Sequence, residues 1–285
     1  MTRVRTAMAL AALGGVLLLG LVWKGYGGHT QALRSQLAAV VPVDRAQPVA
    51  CAPWAAAQPI VILALGQSNA GNHGSPGAQA SPPVPLIAQG LCALAADPLP
   101  GSTGTGGSIW LRLSHQLSQQ NPQQRWVFSV MGIDATSMRD WTDRNSPLRE
   151  HLLQHLRSMR ALGLAPQLVL WQHGEADARL GTSSQDYGAG LDQLAALLEQ
   201  AGTPAPILLA RSTVCRSRPD SRIRSAVESR VQRHGRFLLG PDTDTLVGTD
   251  LRHDGCHFSA AGLERAAALW AQSITQALSP RFPNS

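Results

Sequence analysis

Three residues of this 285-residue chain are of types that can act together: Ser68 in "GQSNA", and Asp254 and His257 in "DGCH". A serine hydroxyl is a weak nucleophile until a base takes its proton, and an imidazole becomes a directed base when a carboxylate holds its other nitrogen. A three-residue spacing lets Asp254 reach Nδ1 of His257, leaving Nε2 to accept a proton. The chemistry would be acyl transfer through a serine ester. Singly the residues say less, because serine in a Gly-rich turn is usually structural and a lone histidine usually caps or packs. The fold has to bring 68 and 257 together.

Short apolar runs at 60–65, 126–130, 167–171, 207–210 and 237–239 are too short for helices, and Gly or Pro stands at several of their edges. Helical spacing fills the gaps. Trp110, Leu113 and Leu117 make one stripe, and Leu148, Leu152, Leu156 and Met159 make another behind Ser146 and Pro147. Ser183 with Asp186 reads as a capping box ahead of Leu191, Leu194 and Leu198. Ile223, Val227 and Val231 follow, then Leu263, Ala267, Trp270, Ile274 and Leu278. Strands alternating with helices predict a parallel sheet covered on both faces. Ligands of such sheets gather beyond the carboxyl ends of the strands. "GQSNAG", "GIDATSMRDW", "WQHGEAD" and "RHDGCHFSAAG" all fall at that rim. Ser259 is the expected N-cap of the last helix.

"GQSNA", "WQHGEAD" and "DGCHFSAAG", in this order, resemble the SGNH or GDSL-like hydrolases, and within them the sialate O-acetylesterase and acetylxylan esterase branch, over residues 58–278. "GQSNA" is not the GxSxG elbow of α/β-hydrolases. The resemblance implies a three-layer α/β/α sandwich with a flavodoxin-like parallel sheet of about five strands. It implies Ser68 as nucleophile, His257 as general base and Asp254 as its orienting acid. The implied oxyanion hole uses the N–H of Ser68 and that of Gly107, with Gly106 as competitor. A third donor is implied in the middle block, where the branch usually reads Trp-His-Gln-Gly-Glu. Here Gln172 and His173 are exchanged, so His173 stands at the donor position. Gln67, Asn69, Gln172 and Glu175 are candidate substrate-binding residues. Glu175 and Asp177 also read as structural hydrogen-bonders at the rim rather than a second acid–base pair. Asp140 and Trp141 either line the substrate cleft or serve as a helix cap and a packed ring. No metal or organic cofactor is expected.

The implied activity is removal of short acyl groups, acetyl above all, from carbohydrate. The alternatives are an envelope polysaccharide O-acetyltransferase with the same triad and an inactive glycan-binding relative. A lipase would need a long apolar cleft that is not legible.

The net charge is +6 with a single lysine, Lys24. The basic residues are scattered without interleaved aromatics, which argues against nucleic acid as a partner. The eight arginines of 211–236 mostly lie off the Ile223 stripe and read as a solvated helix face. At the amino end, Arg3 and Arg5 precede seventeen uncharged residues, Ala7 to Trp23, and then Lys24. As a helix this run spans about 25 Å, at the short end for crossing a bilayer. No small-residue cleavage site follows it, so residues 1–24 are expected to be an inner-membrane anchor with the body exported to the periplasm or beyond. Residues 25–58 read as a short helix and an extended linker, and 59–285 as the catalytic domain. The four cysteines lack CxxC spacing, which argues against zinc, and three pairings are open. Cys215 follows the fourth strand at the rim that carries Cys256, so the expected bridges are Cys215–Cys256 and Cys51–Cys92, with four free thiols as the alternative.

Overall fold

A computed structural model of the chain describes residues 28–75, 82–233 and 235–279. The five expected strands are present as β2 (Ile60–Gly66), β5 (Trp126–Gly132), β6 (Leu168–Gln172), β7 (Ile207–Arg211) and β8 (Phe237–Asp242). They lie parallel in the order β5-β2-β6-β7-β8, the flavodoxin-like sequence. Period-two alternation splits their side chains between two cores. Val61, Leu63, Leu65, Val169, Trp171, Ile207 and Leu209 face the layer of α5 (Pro147–Ala161), α7 (Ser184–Gln200) and α8 (Ser221–Gln232). Ile62, Ala64, Leu168, Leu170, Leu208 and Ala210 face α3 (Ile109–Gln120) and α9 (Ala260–Leu278). The expected caps form: Ser146, Ser183 and Ser259 each accept a backbone N–H from the first turn of α5, α7 and α9.

Among the described residues the sheet has eight strands rather than five. β1 (Gln47–Val49), β3 (Val84–Ala88) and β4 (Leu91–Ala95) extend it beyond β5 in the order β1-β4-β3-β5. These strands are short, two contain proline, and β4 runs antiparallel to both neighbours. Pro48 lies on the edge strand, and β3 meets β5 only at Leu86 and Phe128, so neither proline interrupts a full ladder.

The stretch read as a linker is folded from residue 28 onward. It forms a helix, α1 (28–38), then β1 and α2 (Ala52–Ala56). Leu33, Val40 and Val41 are buried, and Cys51 is bridged to Cys92 on β4. Apolar residues spaced too irregularly to show a period still supply enough buried surface to dock the segment. The proposed anchor, 1–24, lies outside the described residues, and among those described no helix is long and apolar enough to cross a membrane.

The arginine-rich stretch is largely paired. Arg224 bridges Asp242 and Asp244, Arg230 meets Asp192, Arg222 meets Asp220, and Arg236 caps the carbonyls of Ala195, Thr203 and Ala205. A buried polar pair sits between β5 and α5. Ser129 Oγ donates to Ile87 O at 2.8 Å and lies 2.6 Å from Nε2 of His155. Burial, with His151 adding to it, pushes His155 down to about 4.

Candidate active site

The site begins where β2 runs out. Gly66 has φ +151°, and a Cβ there would lie 2.0 Å from Gln172 O, so only glycine lets β2 turn beside β6. Ser68 then opens a 3₁₀ turn, Ser68–Ala70. The turn is pinned from below: Trp110 Nε1 donates to Ala70 O at 2.6 Å, and Gln67 Oε1 accepts from Ala176 N at 3.0 Å. Gly132, at the end of β5, packs so closely that a Cβ would lie 2.3 Å from the Ala70 carbonyl carbon and the Gly71 nitrogen.

The loop carrying Asp254 and His257 lies between β8 and α9. Asp254 Oδ2 accepts from His257 Nδ1 at 2.8 Å, while Oδ1 accepts the N–H groups of Cys256 at 2.9 Å and His257 at 2.7 Å. Burial alone would raise the Asp254 pKa. The two backbone donors and the imidazole outweigh it and hold the carboxyl well below the usual carboxylate range. An ionised Asp254 accepting Nδ1–H leaves Nε2 of His257 with its lone pair free.

Little regular structure supports this loop, and other contacts replace it. The fully buried Arg252 donates to the carbonyls of Leu246, Thr243 and Cys256 and lies 4.4 Å over the Phe258 ring. The Cys215–Cys256 disulfide ties the loop to the end of β7, as expected from the rim position of both cysteines. Asp244 accepts from Thr213 N and Val214 N, fixing the strand end that carries Cys215.

The Ser68 segment and the Asp254–His257 loop are stitched together. Asn69 Nδ2 donates to Cys256 O at 3.2 Å, Ser75 N donates to Phe258 O at 2.9 Å, and the rings of His73 and His257 stack at 5.4 Å. No hydrogen bond joins Ser68 to His257 among the described residues. In free enzymes such contacts are often long and tighten with substrate.

Several expected roles fall elsewhere. Gly107 N–H donates to Gly74 O and Gly106 N–H to Asn72 O, so the backbone pairing of these two segments consumes both proposed oxyanion donors. The donors left without an acceptor among the described residues are the N–H groups of Ser68 and Asn69 at the head of the turn. His173 is fully buried, with Nε2 at 3.0 Å from Thr136 O and Nδ1 at 3.1 Å from the Tyr187 hydroxyl, so it offers no donor to a substrate. Gln172, one residue earlier, points to the opposite face by strand alternation. It is fully buried, with its amide engaged by Ser212, Thr243 and Trp270 beneath α9 rather than presented at the rim.

Trp141 is likewise wholly buried, packed edge-on to Trp171 and bonded to Thr136 Oγ1, and Asp140 closes a capping box with Ser137. Trp141 is therefore a packed ring rather than cleft lining, while Asp140 caps its helix and also meets Nε2 of His29 at 2.6 Å in the wall of a surface pocket. Asp177 accepts from Met138 N, a structural bond as expected. Glu175 accepts from Asn69 Nδ2 and Ser212 Oγ, both at 2.8 Å and both on Oε1. Burial raises its pKa to about 7 against the hydrogen bonds of Asn69 and Ser212. Gln67, Asn69 and Glu175 thus brace the Ser68–Ala70 turn.

Sequence reasoning missed His73 and Asp134. Ligating atoms of His73, Asp134 and His257 all lie within 4.8 Å of one another. Burial lowers the His73 pKa, with Asp134 opposing and His257 reinforcing the shift. Nothing in "GNHG" or "GID" distinguishes these residues before the loops meet. Arg252 was also missed, since its role depends on carbonyls of a loop with no pattern.

No family model and no curated protein sequence matches the chain. Solved structures do. A protein from Arabidopsis thaliana superposes with TM-score 0.60 at 19% identity, covering 79% of this chain and 99% of its own. A family 3 carbohydrate esterase from Clostridium thermocellum gives TM-score 0.52 at 14% identity over 79% and 99%. A carbohydrate acetylesterase from Sinorhizobium meliloti gives TM-score 0.50 at 15% identity over 76% and 99%. With helices on both faces of its parallel-dominated sheet and the strand order given above, the chain has the SGNH-hydrolase fold.

Proposed function

We propose that this chain is a serine esterase that removes acetyl or similarly short acyl groups from carbohydrate. The observation that carries the reading is the Asp254–His257 pair, 2.8 Å apart and held by two backbone N–H groups, on a loop stitched to the Ser68 turn. Asp254 fixes the tautomer that leaves Nε2 of His257 bare. Nε2 takes the Ser68 proton as Oγ attacks the ester carbonyl, and the tetrahedral oxyanion is met by the N–H groups of Ser68 and Asn69. His257 then returns the proton to the leaving alcohol, and water repeats the sequence to release the acid. The names of two structural neighbours, a carbohydrate esterase and a carbohydrate acetylesterase, support the substrate class.

The reading extends to location. Two disulfides suit an oxidising compartment, which supports residues 1–24 as a tether holding the domain outside the cytoplasm.

The test is a serine-directed fluorophosphonate with Ser68→Ala as control, followed by acetate release from acetylated glycans against butyryl and longer esters. Labelling at Ser68 and preference for acetyl are expected. Labelling that survives Ser68→Ala, or preference for long chains, overturns the reading.

A further inference from the structure

His73, Asp134 and His257 converge from three loops: after β2, after β5 and before α9. Their hydrogen bonds determine which ring nitrogens are bare. Thr103 Oγ1 donates its one proton to Gly132 O at 3.1 Å and accepts Asp134 N–H at 2.9 Å. Toward His73 Nε2, at 3.1 Å, it can therefore only accept, so Nε2 carries the proton and Nδ1 is bare. On His257, Asp254 takes the Nδ1 proton and Nε2 is bare. Two bare imidazole nitrogens and a carboxylate form a set suited to a zinc-like divalent ion. Thr103 and Asp254 stand behind the two rings as the outer partners such histidines usually have.

The neighbouring set His253, Asp254 and His257 is weaker, because both oxygens of Asp254 are already spent on its own loop. Tetrahedral ligation at ordinary zinc bond lengths places donor atoms roughly 3.3 Å apart, so separations within 4.8 Å close by side-chain rotations on the order of 1 Å.

We propose that His73, Asp134 and His257 bind one zinc-class divalent ion and that this ion inhibits the enzyme. The inhibition rests on the esterase reading above; the binding does not. The lone pair on His257 Nε2 that takes the serine proton is the one the metal occupies, so the two events exclude each other. A solvent-facing position remains on the ion, as three protein ligands leave tetrahedral zinc one open site.

The test uses the purified full chain. Co²⁺ is titrated while its visible d–d absorption is followed, and Zn²⁺ is titrated in competition with a chromophoric chelator. Binding of about one equivalent is expected, weakened about tenfold or more by His73→Ala and by Asp134→Asn. Zn²⁺ should inhibit ester hydrolysis over the same concentration range, reversibly with chelator. The hydrolysis that folded His73→Ala and Asp134→Asn retain, each compared with its own metal-free rate, should resist the Zn²⁺ concentration that halves the parent rate. Circular dichroism checks that each variant is folded, and Asp134→Asn stands in if His73→Ala is not. Loss of neither affinity nor inhibition in the folded variants overturns the site. Metal binding without any hydrolysis overturns the esterase reading and leaves the site standing.

Discussion

Glu175→Gln separates charge from shape at the centre of the site. The wild-type carboxyl is wholly buried, and its pKa moves from 4.5 in the open chain to about 7 in the fold, chiefly through burial. A pKa raised by folding contributes stability that is fully present below pH 4.5 and is lost as pH rises through about 7. At about 1.4 kcal/mol per pKa unit, the loss is about 3 kcal/mol. Glutamine carries no such dependence.

The histidines whose pKa burial lowers run the opposite way. His155, held at about 4, loses its contribution as pH falls from 6.5, and this is common to both proteins. The difference between variant and wild type therefore isolates Glu175. Urea unfolding at pH 4.5 and pH 8, at equal ionic strength and with disulfides intact, should find that difference shifting by about 3 kcal/mol in favour of the variant at the higher pH. A constant offset is also expected at both pH values, because the glutamine Nε2 takes the place of Oε2, which has no hydrogen-bond partner among the described residues. A difference that shifts by less than about 1 kcal/mol between the two pH values refutes the placement of a charged, desolvated carboxyl beside Asn69.

Other outcomes follow from contacts already described. Asp254→Asn presents an amide where the N–H groups of Cys256 and His257, the imidazole and Arg216 now converge. Its kcat should fall roughly 10³–10⁴-fold and Tm should fall as well, because the fold favours the ionised carboxylate that is lost; a fall in kcat under tenfold in the folded variant refutes its role. The two disulfides span equal sequence separations of 41, so the chain-entropy estimate assigns each about 4 kcal/mol. Replacing either pair by serine should destabilise similarly in urea, yet only Cys215→Ser/Cys256→Ser should also lower kcat, because Cys256 carries the carbonyl that receives Asn69. Gly132→Ala should push the Ser68–Ala70 turn, costing about 1–3 kcal/mol and activity beyond what the folded fraction explains; full activity in a stable variant would contradict the contact.

The strands of the parallel core and the rim loops were legible because short apolar runs and stripes such as Leu148–Met159 repeat with the period of their element. The Asp254–His257 pair was legible because its spacing is local. What failed was any role that depends on where a strand turns its side chains or spends its backbone. Gln172 and His173 are adjacent in sequence but lie on opposite faces of β6 and its exit, and Gly107 looked free until Gly74 was found opposite it. β1 and β3 carry prolines, and α1 and the residues after it dock through scattered apolar contacts, so no window of sequence shows a period there. His73 and Asp134 carry no signal until two loops converge.

The molecule also holds a serine and a histidine in the hydrogen-bond contact that Ser68 and His257 lack, namely Ser129 and His155. There the hydroxyl hydrogen is committed to the Ile87 carbonyl, so the ring nitrogen gives rather than takes. Ser129 consequently has no way to surrender a proton to its neighbour, and an acylating reagent should ignore it even in a partly loosened molecule. Proximity of the two side chains is thus a poor guide to reactivity here, and the orientation of one hydrogen atom is the better one.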